Sequence, residues 1–205
     1  MSKDDKSGNF PDIAENVFAP IYPIIASDIA DSSRIKEGIC LDLGCGLASL
    51  GIALAEQTNL TVYAVDISEK MYELSTEKAA KHGVSDRLKP VLADVHKLPF
   101  DDDFVNLVVS RGSVFFWDNL PVAFSEIARV LAPGGEAWIG GGFGTAELRQ
   151  QIAKIMEERD PGWQEGSKKR LSPENKQAMK DACVSTGLIF RVVDDDAGFW
   201  VVMNK

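Results

Sequence analysis

The chain has 205 residues, of which 45% are apolar, and a formal net charge of −9. This length and apolar content suit one substantial core, so a single domain over residues 1–205 is expected, while the acidic balance disfavours a nucleic acid partner. No run reaches the ~18 apolar residues that suggest a membrane span, and the polar opening MSKDDKSGNF lacks the apolar stretch of a signal peptide, so no membrane association and a cytoplasmic location are expected.

Between residues 9 and 36, Ile13, Val17, Phe18, Ile21, Tyr22, Ile24, Ile25 and Ile29 recur at helical spacing around Pro20 and Pro23, which predicts two short helices ahead of the sheet. Ile39 to Leu43 then reads as a buried strand that stops at Gly44-Cys45-Gly46, and the stretch from Ala48 to Ala55 is rich in helix formers. A strand, glycine turn and helix in this order point backbone N–H groups and the positive end of the helix dipole beyond the strand. Gly44 and Gly46 let a ligand approach the main chain closely, so a nucleotide-like ligand with an anionic group is expected here. The dinucleotide pattern G-x-G-x-x-G would need a third glycine where Ser49 stands, which counts against a nicotinamide cofactor.

The three cysteines, Cys40, Cys45 and Cys183, fit no zinc spacing, so no metal site is expected. Cys40 and Cys183 read as core residues, and Cys45 as a small turn residue or a nucleophile. Leu60 to Asp66 predicts a second strand whose terminal acid lies about 20 residues after the glycine turn. Ser68 caps the next helix, from about Glu69 to Lys81, which leaves Asp66 for a ligand, and His82-Gly83 stops that helix. A third strand, Leu88 to Ala93, leads to Asp94-Val95, and His96 reads as a loop residue or a general base.

After the Asp101-Asp102-Asp103 turn, Phe104 to Ser110 predicts a fourth strand whose end, Ser110-Arg111-Gly112-Ser113, faces the crevice where open α/β sheets bind ligands. Phe115, Phe116 and Trp117 cannot all point one way: at least one is core, and Phe116 and Trp117 are candidates for a pocket wall. An amphipathic helix from Pro121 to Leu131 is followed by Ala132-Pro133-Gly134-Gly135 and a fifth strand from Glu136 to Ile139. Gly140 to Gly144 then leave the strand as a close approach to ligand, a hinge or a plain connection, with Phe143 beside the pocket. Thr145 caps a helix from Ala146 to Arg159, Lys168-Lys169-Arg170 reads as a solvated loop, and Ser172 caps a helix from Pro173 to Thr186. Leu188 to Val193 and Gly198 to Met203 form a hairpin.

Together these features resemble class I S-adenosylmethionine-dependent methyltransferases of the small-molecule type. Asp42-x-Gly44-x-Gly46 matches the first motif with its last glycine replaced by Ala48; Asp66, Asp94-Val95 and Leu131-x-Pro133-Gly134-Gly135 follow at the family's positions, and Leu98-Pro99-Phe100 matches a loop of the LPF subgroup. The resemblance implies a Rossmann-like, doubly wound α/β fold: a mostly parallel seven-stranded sheet, a C-terminal antiparallel hairpin strand and helices on both faces. It divides the chain into an N-terminal helical cap (1–37), a cofactor-binding core (38–140), a helical substrate-side segment (141–187) and the hairpin (188–205).

S-adenosyl-L-methionine is the implied cofactor and S-adenosyl-L-homocysteine its product. The implied cofactor site comprises Asp42, Gly44, Cys45 and Gly46, with Asp66 on the ribose, Ile67 and Met71 on adenine, Asp94 on its amino group, Val95 on a ring nitrogen and the Ser110 carbonyl on the ammonium. Tyr22 belongs to a lid or only to the packing. Arg111 holds the methionine carboxylate, an anionic substrate group or a neighbouring loop acid. Tyr22, Arg111, Phe116, Trp117 and Phe143 are the substrate-pocket candidates. The implied function is methyl transfer to a small-molecule acceptor by in-line displacement, with no partner protein indicated and no catalytic residue assigned; the alternative is a non-catalytic S-adenosylmethionine-binding accessory or regulatory subunit.

Overall fold

The computed structural model describes residues 10–205; the polar opening segment lies almost wholly outside them. Two helices, α1 (Phe10–Asn16) and α2 (Ile21–Ser33), precede the sheet. Pro20 caps α2 and Pro23 sits in its first turn, where the missing N–H needs no intrahelical acceptor, so neither proline breaks the helix.

Strand, helix and strand then alternate: β1 (Glu37–Leu43), α3 (Ser49–Gln57), β2 (Asn59–Asp66), α4 (Glu69–Lys81), β3 (Leu88–Leu92), β4 (Val105–Arg111), α5 (Leu120–Val130) and β5 (Leu131–Gly142). Three helices, α6 (Ala146–Arg159), α7 (Trp163–Arg170) and α8 (Pro173–Thr186), lead to the hairpin β6 (Ile189–Asp194) and β7 (Gly198–Asn204). The sheet order is β3-β2-β1-β4-β5-β7-β6, with β7 antiparallel to both its neighbours and every other pair parallel. This is the Rossmann-like arrangement that the family resemblance implied, and the strand order reverses between β1 and β4, where such sheets open a ligand crevice.

Alternation along the strands feeds two cores. On β1, Cys40 belongs to the core that α2, α3 and α6 cover, while Leu41 and Leu43 belong to the one that α5 and α8 cover across the sheet. Asp42 shares the Cys40 side, so the strand's period carries a carboxylate beneath α3. Gly51 lets that helix sit low: a Cβ there would meet Asp42 Oδ2 and Val62 Cγ1, both at 3.1 Å.

Four expectations change. Gly140, Gly141 and Gly142 remain within β5, opposite Trp200, Phe199 and Gly198 of β7. At Gly140 and Gly142 smallness serves that pairing, since a Cβ on Gly140 would run into the Phe199 carbonyl and one on Gly142 into the Trp200 ring, whereas one on Gly141 would meet the Phe115 ring at an ordinary 3.4 Å. β5 also begins at Leu131, directly after α5, and Ala132 to Gly135 bulge out between the Val105–Leu131 and Leu107–Glu136 pairs. The basic run Lys168-Lys169-Arg170 is the last turn of α7 rather than a loop, because Gly162, at φ +93°, turns the chain directly into that helix. β4 ends one residue later than expected, which makes Arg111 its last residue. No helix among the described residues is long and apolar enough to cross a membrane.

Candidate functional site

A cavity of about 990 Å³ opens beyond the carboxyl ends of β1, β2 and β4, at the reversal of strand order. This is at the upper end of the roughly 300–1,000 Å³ of small-molecule sites, and accommodates a nucleoside cofactor together with a second small molecule.

One wall is the glycine turn and the acids around it. Asp42 is buried, with Oδ2 accepting the Gly51 N–H at 2.9 Å. Burial pushes its pKa from 3.8 up to about 7; the Gly51 hydrogen bond opposes the rise and the nearby charge of Asp66 adds to it. Asp66 is more engaged than the sequence suggested. Its Oδ2 accepts the Gly46 N–H at 2.9 Å and its Oδ1 the Ser68 N–H at 3.0 Å, so it locks the turn to the end of β2. Each carboxylate oxygen has a second lone pair, so these bonds leave Asp66 able to accept from a ligand as well.

Gly44, at φ +63°, passes so close to Ser113 that a Cβ would collide with its hydroxyl. Ala48 also takes a left-handed conformation, φ 54° and ψ 30°, and its methyl is buried in the core rather than lining the cavity. The Cys45 thiol is pushed up by burial and by Asp42 and Asp66, which argues against a nucleophilic thiolate.

Farther along, Ile67 and Met71 flank the cavity beside Asp94 and Val95. Asp94 Oδ1 accepts the His96 backbone N–H at 2.9 Å and lies 2.6 Å from His96 Nδ1. His96 Nε2 accepts the Asn119 N–H at 3.3 Å, which places the ring proton on Nδ1, toward Asp94. Both ring nitrogens are therefore occupied, and His96 is a loop brace. The Leu98-Pro99-Phe100 loop behind it is pinned by α5: Leu98 N–H donates to Glu126, and Arg129 donates to the Leu98 and Phe100 carbonyls.

The opposite wall is aromatic and basic. Phe18, Tyr22, Phe143 and Trp163 line it together with Arg111 and Arg170. The Arg111 guanidinium lies 4.8 Å from the Phe18 ring centroid, 5.4 Å from Phe143 and 5.7 Å from Tyr22, and its Nε donates to the Gly142 carbonyl at 3.1 Å. It makes no ion pair among the described residues, so the loop salt bridge considered from the sequence is not formed. Burial lowers its pKa and raises that of the Tyr22 phenol.

A 3₁₀ turn at Val114–Phe116 forms the rim. Phe116 is 73% exposed there, while Phe115 and Trp117 pack partly inward, Trp117 Nε1 donating to Ser113 Oγ at 2.8 Å. At Gly112 a Cβ would meet nothing within 4 Å, so the main chain there is open to a ligand.

The structure thus gathers Asp42, Gly44, Cys45, Gly46, Asp66, Ile67, Met71, Asp94, Val95, Tyr22, Arg111, Phe116, Trp117 and Phe143 around one cavity. Ser110 is the exception. It is fully buried behind the wall, where its hydroxyl donates to the Leu43 carbonyl at 2.8 Å and ties β4 to β1. Phe18, Trp163 and Arg170 had not been singled out from the sequence; the signal for Arg170 was its basic run, and for Trp163 an isolated aromatic after Pro161-Gly162.

A family model described as "Methyltransferase domain" matches residues 41–139. Sterol 4-C-methyltransferase strm-1 of Caenorhabditis elegans is 36% identical over 109 residues, 53% of this chain and 32% of that protein. The 27-O-demethylrifamycin SV methyltransferase of Amycolatopsis mediterranei is 33% identical over 100 residues, 49% of this chain and 37% of that protein. The chain spans only about a third to a half of the length of such curated relatives. A solved structure from Methanococcus maripaludis, provisionally assigned as an S-adenosyl-L-methionine-dependent methyltransferase, matches over 100% of this chain and 97% of its own, at 39% identity and a TM-score of 0.95.

Proposed function

This chain belongs to the class I S-adenosylmethionine-dependent methyltransferase family, and on that premise we propose that it transfers the cofactor's methyl group to a small-molecule acceptor in the cavity described above. The observation that carries this reading is the row of carboxylates Asp42, Asp66 and Asp94 at the ends of β1, β2 and just beyond β3, around one glycine turn in one cavity.

The residues fit S-adenosylmethionine by their chemistry. Asp66 accepts from the ribose hydroxyls, and Asp94 with the Val95 amide meets the adenine edge between Ile67 and Met71. The zwitterionic methionine end is answered by opposite charges, Asp42 for the ammonium and Arg111 for the carboxylate. Tyr22 shares this end of the cavity, its ring 5.7 Å from the Arg111 guanidinium. Asp42 replaces Ser110 in this assignment, because Ser110 lies outside the cavity lining.

Bound S-adenosylmethionine supplies an activated sulfonium methyl, so the protein's work is alignment and exclusion of water. The aromatic wall of Phe18, Tyr22 and Phe143 excludes water, and Phe116 stands at the rim. His96 is engaged at both nitrogens, and burial raises both the Cys45 thiol and the Tyr22 phenol, so none of the three is a ready base. This favours an acceptor atom that is already a nucleophile, such as a thiolate, a neutral amine or a stabilised carbanion. The names of the sterol and rifamycin relatives support a small-molecule acceptor.

Calorimetric titration with S-adenosylmethionine and S-adenosylhomocysteine, with NAD as control, tests the reading. Micromolar binding of the first two and none of the third is expected, followed by transfer of labelled methyl to an acceptor. Failure of both sulfur ligands to bind would sink the proposal.

A further inference from the structure

The cavity holds two guanidinium groups, and the cofactor offers an anion to only one. Arg111 ends β4 inside a cage of Phe18, Tyr22 and Phe143. Arg170 ends α7 on the substrate side of the same cavity. Neither forms an ion pair among the described residues, although acidic residues outnumber basic ones by 31 to 22. Buried and half-buried charges are ordinarily paired, because desolvation is costly when no counter-charge answers it. Burial disfavours the charged form of both arginines, and Arg170 adds like-charge repulsion to Arg111. With the cofactor's carboxylate answering Arg111, Arg170 is the cavity cation left without an anion.

The walls around this pair also select the body of the ligand. Phe143 packs edge-on to both Phe18, at 6.2 Å, and Trp163, at 6.3 Å, so flat apolar surface surrounds the Arg111 guanidinium and lines the cavity that Arg170 shares. Lys168 and Lys169, which would strengthen a site for a highly charged group, point to solvent. The balance therefore suits a singly charged planar group on an apolar body better than a phosphate ester.

Resting on the methyltransferase reading, we propose that the methyl acceptor is a small aromatic or apolar carboxylate, whose carboxylate is held by Arg170 beside Arg111 and whose body lies against Phe143 and Trp163. Arg170 selects the acceptor and takes no part in holding the cofactor. Because α7 buries none of its residues, the carboxylate also fastens this helix across the cavity mouth.

The test uses the full chain saturated with S-adenosylhomocysteine. Benzoate, indole-3-acetate and hydrocinnamate are titrated by tryptophan fluorescence and calorimetry against their primary amides and against phenyl phosphate and inorganic phosphate. Carboxylates are expected to bind at least tenfold more tightly than the matching amides and than either phosphate. Arg170→Gln should lose that tenfold preference while keeping S-adenosylhomocysteine affinity within twofold and an unchanged melting temperature, and Arg170→Lys should recover part of it. Equal binding of acids and amides, a preference for phosphate, or an Arg170→Gln protein that keeps the acid preference overturns the subsite. Binding of S-adenosylhomocysteine with no carboxylate bound also overturns it and leaves the methyltransferase reading intact. Carboxylate binding sensitive to Arg170 in a protein that ignores S-adenosylhomocysteine overturns the methyltransferase reading and retains the anion site.

Discussion

Along the wall of Asp42, Gly44, Gly46, Asp66 and Asp94, each group is placed by a strand end or the turn that follows it, and backbone N–H groups fix the carboxylates. The facing wall of Phe18, Tyr22, Arg111, Phe143, Trp163 and Arg170 is assembled from segments spread across most of the chain and held by ring packing. The first wall is acidic and backbone-built, which suits one invariant ligand. The second is basic, aromatic and side-chain-built, which suits an acceptor that can change when a few side chains change. A fold can thus keep its cofactor chemistry while its substrate side diverges.

The largest test of that contrast is Asp42→Asn. The folded protein holds Asp42's pKa at about 7 against an ordinary 3.8, so ionising it at pH 8 costs on the order of 4 kcal/mol in the ligand-free protein. Between those two values the folded state retains a proton that the unfolded chain has released. Ligand-free stability therefore falls as pH rises through that window and levels off above about 7. Asparagine keeps an acceptor for the Gly51 N–H and removes the charge. Urea unfolding at pH 8 should show the variant more stable than the parent by up to this amount, with the gain shrinking toward pH 5. Calorimetry should show weaker S-adenosylmethionine binding in the variant. It should also show parental affinity declining as pH drops below about 7, a dependence absent from the variant. A variant less stable at pH 8 would mean that the carboxylate is a structural necessity and not a strained ligand group.

Asp66→Ala comes next. It removes the proposed ribose acceptor and also orphans the Gly46 and Ser68 N–H groups, so the cofactor and the turn should suffer together. We expect cofactor binding about 100-fold weaker, or about 3 kcal/mol, and a ligand-free stability lower by about 1–3 kcal/mol. Asp66→Asn, which retains one acceptor, should recover more of the stability than of the affinity. If stability falls and affinity does not, Asp66 is a turn clamp alone.

The backbone-built wall was legible in the sequence because its requirements are local: glycine where φ is positive, an acid where a parallel strand ends, a serine where a helix begins. Most strands and the Ser68, Thr145 and Ser172 caps followed from the same signals, whereas the antiparallel insertion of β7 was implied by the family resemblance and not by any local pattern. The other wall was not legible as a whole. Trp163 to Arg170 has no apolar stripe, since Trp163 is the one large apolar side chain on α7 and no residue of the helix is fully buried, so no period announced a helix or its Arg170. Gly140 to Gly142 offered a ligand approach, a hinge or a plain connection: Gly141 and Gly142 do line the cavity, but at Gly140 and Gly142 the demand for small residues comes from β7, which is distant in sequence. β4 runs one residue past Ser110, which puts Arg111 and not Ser110 in the cavity lining, and periodicity alone does not say which groups near a strand end reach the cavity.

The smallest effect is the most pointed, because Ala48 occupies the place of the motif's last glycine. A non-glycine residue in the left-handed region costs roughly 1–2 kcal/mol, so Ala48→Gly should relieve strain. Glycine also brings greater unfolded-state entropy, roughly 0.5–1 kcal/mol, and deletes a buried methyl worth about 0.8 kcal/mol. The terms nearly cancel, and the variant's stability should lie within about 1 kcal/mol of the parent. Its affinity for S-adenosylmethionine should be unchanged within twofold, because the methyl packs into the core under α3 and faces away from the cavity. The glycine at this position then serves the turn's conformation, as Gly44 serves the close approach of Ser113, and the open main chain at Gly112 gives the ligand room. A severalfold gain in affinity with no change in melting would reverse that assignment and place the Ala48 methyl against the cofactor.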